Sequence, residues 1–230
     1  VLPSISSVLL DLGAMVRNGT LFIHLGATIS RVACGAFFGA LSGSALGLLV
    51  GLSRKSEAYL DPLIQGLRSV PALAWVPLLL LWMGIDESPK IALILIGSFF
   101  PVYLNVVSGV RSVDRRLLEV GQVSGFSHCE LVARIVLPAS LPSVLTGLRG
   151  GLAAAWLYVV AAELIAANSG LGFMLTDGRE LSRADLIFGS ILLLAVCGKA
   201  TDGLLKWAEA KCLAWREATS VTALSIASGA

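Results

Sequence analysis

Charge is what this chain has least of. Only 14% of its 230 residues are Asp, Glu, Lys or Arg, against about a quarter in soluble globular domains. Histidine occurs twice, at His24 and His128. The four cysteines, Cys34, Cys129, Cys197 and Cys212, stand singly. Their spacing fits neither a metal site nor a disulfide framework, and Cys34 and Cys197 are expected to be small packing residues in helices. No glycine-rich loop ends in Gly-Lys-Ser or Gly-Lys-Thr, so the phosphate cradle of a nucleotide-hydrolysing domain is missing. A membrane enzyme would need a clustered metal or nucleophile site, and the pattern offers none.

Apolar residues fill the space instead. They make up 56% of the chain, and the mean hydropathy is +0.85. Apolar runs recur to the C-terminal region, with charges gathered between them, which is a membrane pattern. The recurrence excludes a cleaved signal peptide as its cause. The reading is an all-α polytopic membrane protein with five spans, at 27–51, 67–83, 90–110, 143–167 and 185–206. A short amphipathic helix over Ser7–Val16 is expected within an interfacial segment 1–26. The chain starts at Val1, so upstream residues, including one more helix, are expected to precede this numbering.

Individual residues refine each span. Gly35, Gly39, Gly43, Gly47 and Gly51 recur every fourth position, leaving one helical face nearly bare for a neighbouring helix to approach. Packing alone is the preferred reading; a sliding contact is the alternative. Arg31 is expected to snorkel to the interface, and His24 to sit there without chemistry. Asp61-Pro62 reads as a break or a helix start. Pro71 and Pro77 should interrupt the second span and Pro101 should kink the third. Asn105 is expected to bond across to another helix. Lys199 and Asp202 are placed to pair. Trp75 and Trp82 fit either a pathway or an interface. A helix is expected to continue past Trp207 to Trp215, and residues 218–230 have little reason to be ordered. Glu163 is the one carboxylate deep in an apolar run, and is costly there unless paired, bonded or protonated.

Residues 111–142 form the long polar interruption. Leu117 to Ser124 reads as one short helix. Gly125 breaks it. Ser127, with Glu130 three residues on, forms a capping box for a second helix, expected to stop near Val136 at Pro138. Two short helices at an angle make a bracket suited to a cleft on a partner; an ordinary interfacial loop is the alternative. If the bracket lies inside, the inner flanks hold most of the Lys and Arg. The outer flanks hold only Arg17, Lys90, Arg179 and Arg183. This bias puts residue 1 outside and residue 230 inside.

The spacing Glu119-x5-Gly125-x9-Ile135-x-Leu137-Pro138 resembles the EAA signature of inner-membrane permeases of binding-protein-dependent ABC importers. Val120 and Gly121 replace the usual alanines. The resemblance extends over about residues 20–217, through stretches such as RSVPALAWVPLLLLWMGI and WLYVVAAELIAANSGLG, and is nearest to the sulfonate, taurine and nitrate branch, aliphatic sulfonate permeases above all. It implies a type I ABC importer transmembrane domain (MetI-like) over 27–217, with 218–230 a flexible tail. It implies a multi-pass protein of the bacterial inner membrane, paired with a second copy. Residues 126–134 would be a coupling helix docked on each of two cytoplasmic ATPase subunits. Glu119, Gly121, Gly125, Phe126, Ser127, Glu130, Ile135, Leu137 and Pro138 would carry that coupling. ATP and Mg would bind the ATPase, with no cofactor, metal or nucleic acid on this chain, and a periplasmic solute-binding protein would deliver substrate. ATP binding would draw the coupling helices together and rock the spans, with the glycine face, Pro71, Pro77 and Pro101 as moving contacts. Glu163 would be a structural partner near the dimer axis rather than a pathway residue. Taurine, nitrate or bicarbonate, and a thiamine precursor are the alternative substrates. A secondary transporter is a distant alternative, since neither ion-coupling residues nor inverted repeats stand out.

Overall fold

A computed structural model describes residues 3–213. Every described element is helical: α1 (Ile5–Arg17), α2 (Thr20–Leu52), α3 (Arg54–Arg68), α4 (Val76–Met83), α5 (Glu87–Arg111), α6 (Arg115–Val123), α7 (His128–Leu131), α8 (Leu137–Ala166), α9 (Leu171–Glu180) and α10 (Ala184–Cys212). The helix through α7 and α8, with α2, α5 and α10, gives four elements long and apolar enough to cross a membrane; α3 and α4 make a fifth only as one bent pair. The helix expected past Trp207 runs to Cys212; its expected end at Trp215 and the expected disorder of 218–230 lie outside the described residues.

The core is α5 pressed between α2 and α8. The glycine stripe of α2 lies along a ridge of α5 with the same spacing. Gly35 faces Ile94, Gly39 faces Ser98, Gly43 faces Val102, Gly47 faces Val106 and Gly51 faces Val110. A methyl group at Gly39 would lie 2.8 Å from the Leu95 carbonyl, and one at Gly43 2.8 Å from that of Phe99. Backbone therefore meets backbone, and even alanine does not fit. α8 repeats the device on the other side. Gly147 rests on Asn105 and Val102, Gly151 on Val102 and the Ser98 carbonyl, while Gly97 of α5 makes room for the Tyr158 ring. Val102, Tyr103 and Val106 are fully enclosed as a result. With no hydrophobic drive between helices in lipid, such close packing is a main source of association.

Several local expectations change. α2 begins at Thr20, after Gly19 in the left-handed region (φ 76°), so the first span starts ahead of residue 27. Pro62 neither breaks nor starts a helix; it lies inside α3. The helix has already been nucleated by Ser53, whose side chain accepts from the Ser56 N–H, and Tyr103 pins it to α5 through Asp61 (2.7 Å). The break comes at Ser69–Pro71, where α3 gives way to a tight turn over Ala72–Trp75 and then α4, bent by 87°. Pro77 sits in the first turn of α4, where a missing N–H leaves no orphan. α5 runs unbroken through Pro101. Asn105 does not cross to another helix. Its side-chain amide donates to the Pro101 carbonyl (2.8 Å) within α5.

The glycine fit makes a prediction. Gly39→Val should destabilise the solubilised protein by roughly 1–3 kcal/mol through overpacking. Gly26→Ala, on the same helix with nothing within 4 Å, should be neutral or slightly stabilising. Thermal melts followed by size-exclusion chromatography compare the two; equal melts would refute the backbone-contact account.

Candidate functional site

One end of the bundle carries the bracket. Asp114 caps α6 by accepting the Arg116 N–H (2.9 Å). The helix ends in a closed turn in which Gly125 donates to the Gln122 carbonyl (3.0 Å) and Phe126 to that of Gly121 (3.1 Å). This closure needs a left-handed residue, and Gly125 supplies it at φ 79°. Gly121 is buried. A methyl group there would lie 2.6 Å from Ile135 Cδ1 and 2.7 Å from Leu131 Cδ2, so this small residue is where α6 crosses the next helix.

The capping box forms as the spacing predicts. The Ser127 N–H donates to Glu130 Oε2 (3.0 Å), and the Glu130 N–H to Ser127 Oγ (3.4 Å). The Ser127 backbone N–H, then its hydroxyl, hold the Glu130 carboxyl below the usual carboxylate range. Arg134 lies over the Phe126 ring at 5.3 Å and 3.7 Å from Glu130. The second helix does not stop at Pro138. α7 passes through a π turn, Val132–Val136, directly into α8, with Pro138 in the opening turn of α8. A proline inside a helix normally clashes with the carbonyl four residues back; the wider π turn relieves that clash and lets the helix run on. Residues 128–166 are thus one nearly continuous rod.

Glu119 projects from α6, 61% exposed, 3.3 Å from Arg115. Beside it Leu117, Val120 and Val123 form an unburied apolar edge, Val123 being 90% exposed. Contiguous apolar exposure at a polar loop is an interaction signature. Val123 was not among the sequence candidates; its spacing of three residues from Val120, itself three from Leu117, is the signal that the three share a helix face. Leu137 is also exposed, while Ile135 is half-buried beneath α6.

The opposite end holds a buried charge network. Arg31 does not snorkel. It is 3% exposed, and its Nη1 donates to Glu163 Oε1 (2.7 Å) and to the Ser169 carbonyl (2.6 Å). Its Nε and Nη2 reach Glu87 at 2.5 and 2.7 Å. Glu163, 1% exposed, also accepts from Thr28 Oγ1 (2.8 Å) and the Gly172 N–H (2.8 Å). Every partner that a buried carboxylate needs is in place. His24 has a role too, since its Nδ1 accepts the Gly170 N–H (3.1 Å). Two opposite charges in separate apolar runs were the legible signal for the Arg31–Glu163 pair. Near the bracket end Asp202 pairs with Arg149 (3.2 Å) and Lys206 (3.1 Å), not with Lys199. Cys197 is half-buried, but Cys34 is exposed on α2 instead of packed. Among the described residues no group of His, Cys, Asp and Glu is placed to hold a metal ion.

This arrangement of helices is shared with solved transporters. One inward-facing structure of the MetNI methionine ABC transporter superposes with a TM-score of 0.68 at 20% identity, covering 80% of this chain and 90% of that one. The two chains share one fold. The chain belongs to the family of binding-protein-dependent transport system inner membrane components, whose pattern matches residues 37–212. It is a transport subunit, not an enzyme. A Bacillus subtilis permease named for aliphatic sulfonates transport, SsuC, is 44% identical over 216 residues, covering 94% of this chain and 78% of the relative. Its Escherichia coli namesake is 40% identical over 218 residues, covering 95% and 83%.

Gly121→Val should lever α6 away from the rod, at a cost of about 1–3 kcal/mol. Limited proteolysis should then cut the 124–127 turn faster while α2, α5 and α8 keep their protection. An unchanged cleavage rate would show that Gly121 is not the crossing point.

Proposed function

We propose that this chain is the pathway-forming permease of an importer for a small organic anion, aliphatic sulfonates first, and that its bracket docks on a cytoplasmic ATPase. The observation that carries the reading is the bracket itself. An exposed, capped two-helix element bearing Glu119 and an apolar edge is joined without a loop to the long helix α8. Force applied at α7 is delivered straight into the membrane bundle. The excess of Lys and Arg at this end favours the cytoplasmic side for it, with residue 1 periplasmic. The substrate class rests on the names of the two sulfonate relatives; taurine, nitrate or bicarbonate, and a thiamine precursor are the alternatives. In this reading two copies line the pathway, two ATPase subunits bind ATP and Mg, and a periplasmic solute-binding protein supplies the substrate.

Native mass spectrometry of the permease co-expressed with its ATPase and binding protein tests the assembly. A complex of two permeases and two ATPases, with an alkanesulfonate mass on the binding protein, is expected. A different ligand mass would replace the substrate and keep the mechanism. A membrane dimer without ATPase would overturn the assignment. Within that complex, Glu119→Ala should insert normally but bind the ATPase about tenfold more weakly, the scale of one interface anchor. Gly125→Val, strained at positive φ, should act likewise, and normal substrate-stimulated hydrolysis in both variants would sink the coupling role.

A further inference from the structure

The first backbone N–H groups of α9 have no cap of their own, because the residue before the helix is Gly170 (φ 123°), with no side chain to offer. They are satisfied from other helices. Gly170 donates to His24, Leu171 to Thr28 Oγ1 (2.8 Å) and Gly172 to Glu163. Helix N-termini attract negative charge, so Glu163 serves α9 as a cap supplied by α8. Arg31 neutralises that carboxylate and also grips the Ser169 carbonyl. The start of α9 is therefore fixed to α2 and α8 as one body.

The same guanidinium has a second edge, and it holds Glu87, the first residue of α5. A cavity of about 580 Å³ opens at this end of the bundle. One wall is the end of α8 with α9, including Asn168, Phe173 and Thr176; the other includes Leu80 of α4 and Ile85 of the α4–α5 turn. Arg31 lies behind this lining and joins its two sides, through Glu163, itself a lining residue, and Ser169 next to Asn168 on one, and through Glu87, two residues after Ile85, on the other. The two ties are unequal. Glu163 is sealed from solvent, and parting it from Arg31 would strand buried charge. The Glu87 side chain is 56% exposed and is also held by Lys90 of its own helix at 2.8 Å, so on release water solvates the carboxylate and Lys90 travels with it, while Arg31 keeps Glu163 and the Ser169 carbonyl.

We propose that Arg31 is a positioning residue that clasps the mouth of this cavity, with Glu87 as the partner that lets go. The clasp rests on the reading that this end receives substrate from outside. In it, Arg31 stays with Glu163 and α9 throughout, while the α4–α5 turn swings away from or back onto the guanidinium. The width of the vestibule is set by the Arg31–Glu87 contact.

The test uses the complete transporter in nanodiscs, with the four native cysteines changed to serine. Thr176→Cys places a thiol on the cavity wall, and Leu181→Cys places a control thiol on the exposed surface beyond α9. The probe is a bulky charged maleimide. Glu87→Gln, on a half-exposed side chain, should raise the labelling rate at residue 176 about fivefold, leave residue 181 unchanged, and raise ATP hydrolysis without substrate. Glu87→Asp should return the rate toward that of the parent. An unchanged rate at residue 176, or an equal rise at residue 181, would overturn the clasp. The importer reading fails separately, through loss of binding-protein-stimulated hydrolysis in the parent complex, because the labelling ratio reads the permease alone.

Discussion

The approach of backbone to backbone along α2 and α5 is the constraint on which the other helices depend. Glycine at every fourth position of α2 lets the Ile94, Ser98, Val102, Val106 and Val110 ridge sit directly on the helix surface. That closeness brings α8 in on the far side, where Gly147 rests on Val102 and Asn105 and Gly151 on Val102 and Ser98. Arg31 of α2 can then reach Glu163 of α8, because the three helices share one narrow core. Larger residues in the stripe would part the helices and leave buried charges without partners. The apolar contact and the polar network are therefore one design, with the first a condition of the second.

α8 links the two ends of the molecule. It begins at the bracket as a continuation of α7 and ends at the carboxylate that caps α9. A flexible loop at Pro138 would have absorbed a displacement of the bracket. The π turn instead keeps the rod continuous while giving it one soft point, since the wider turn has weaker backbone geometry than an α-helix. A push on α7 has two outlets, bending at Val132–Val136 or translation of α8 with its attached α9. The buried network favours the second, with α2 carried along, because Glu163 holds Thr28 and Arg31 of α2 and the Gly172 N–H of α9, and His24 of α2 accepts the Gly170 N–H.

The sequence made the order of elements legible where the signal was local. The glycine stripe, the Ser127–Glu130 capping box and the Gly125 turn all depend on residues within a few positions of one another, and each forms as its spacing predicts. What was missed depends on neighbours distant in the chain. Arg31 looked like an interfacial residue because its partners are 56 and 132 positions away. Pro138 looked like a stop because the π turn that relieves it has no sequence signature. Asn105 and Asp202 both had a second plausible partner, and packing chose between them. The bracket was legible as an element; its fusion to α8 was not.

The balance of contacts also locates the motion. A glycine-packed seam has many simultaneous backbone contacts and no cheap intermediate, so α2, α5 and α8 should move as a block and not slide past one another. The outer parts are held differently. α3 and α4 meet at 87°, and α3 reaches α5 through the Tyr103–Asp61 hydrogen bond, the Arg111–Glu57 ion pair and the packing of Ile64 on Tyr103 and Val107, while Leu63 and Leu67 stay exposed. α4 ends in the turn that Glu87 follows, which places the hinged element beside the half-exposed half of the Arg31 clasp. The bent pair is thus the more loosely held part beside a close-packed three-helix block, and both prolines lie at its bend, Pro71 just before the tight turn and Pro77 in the first turn of α4.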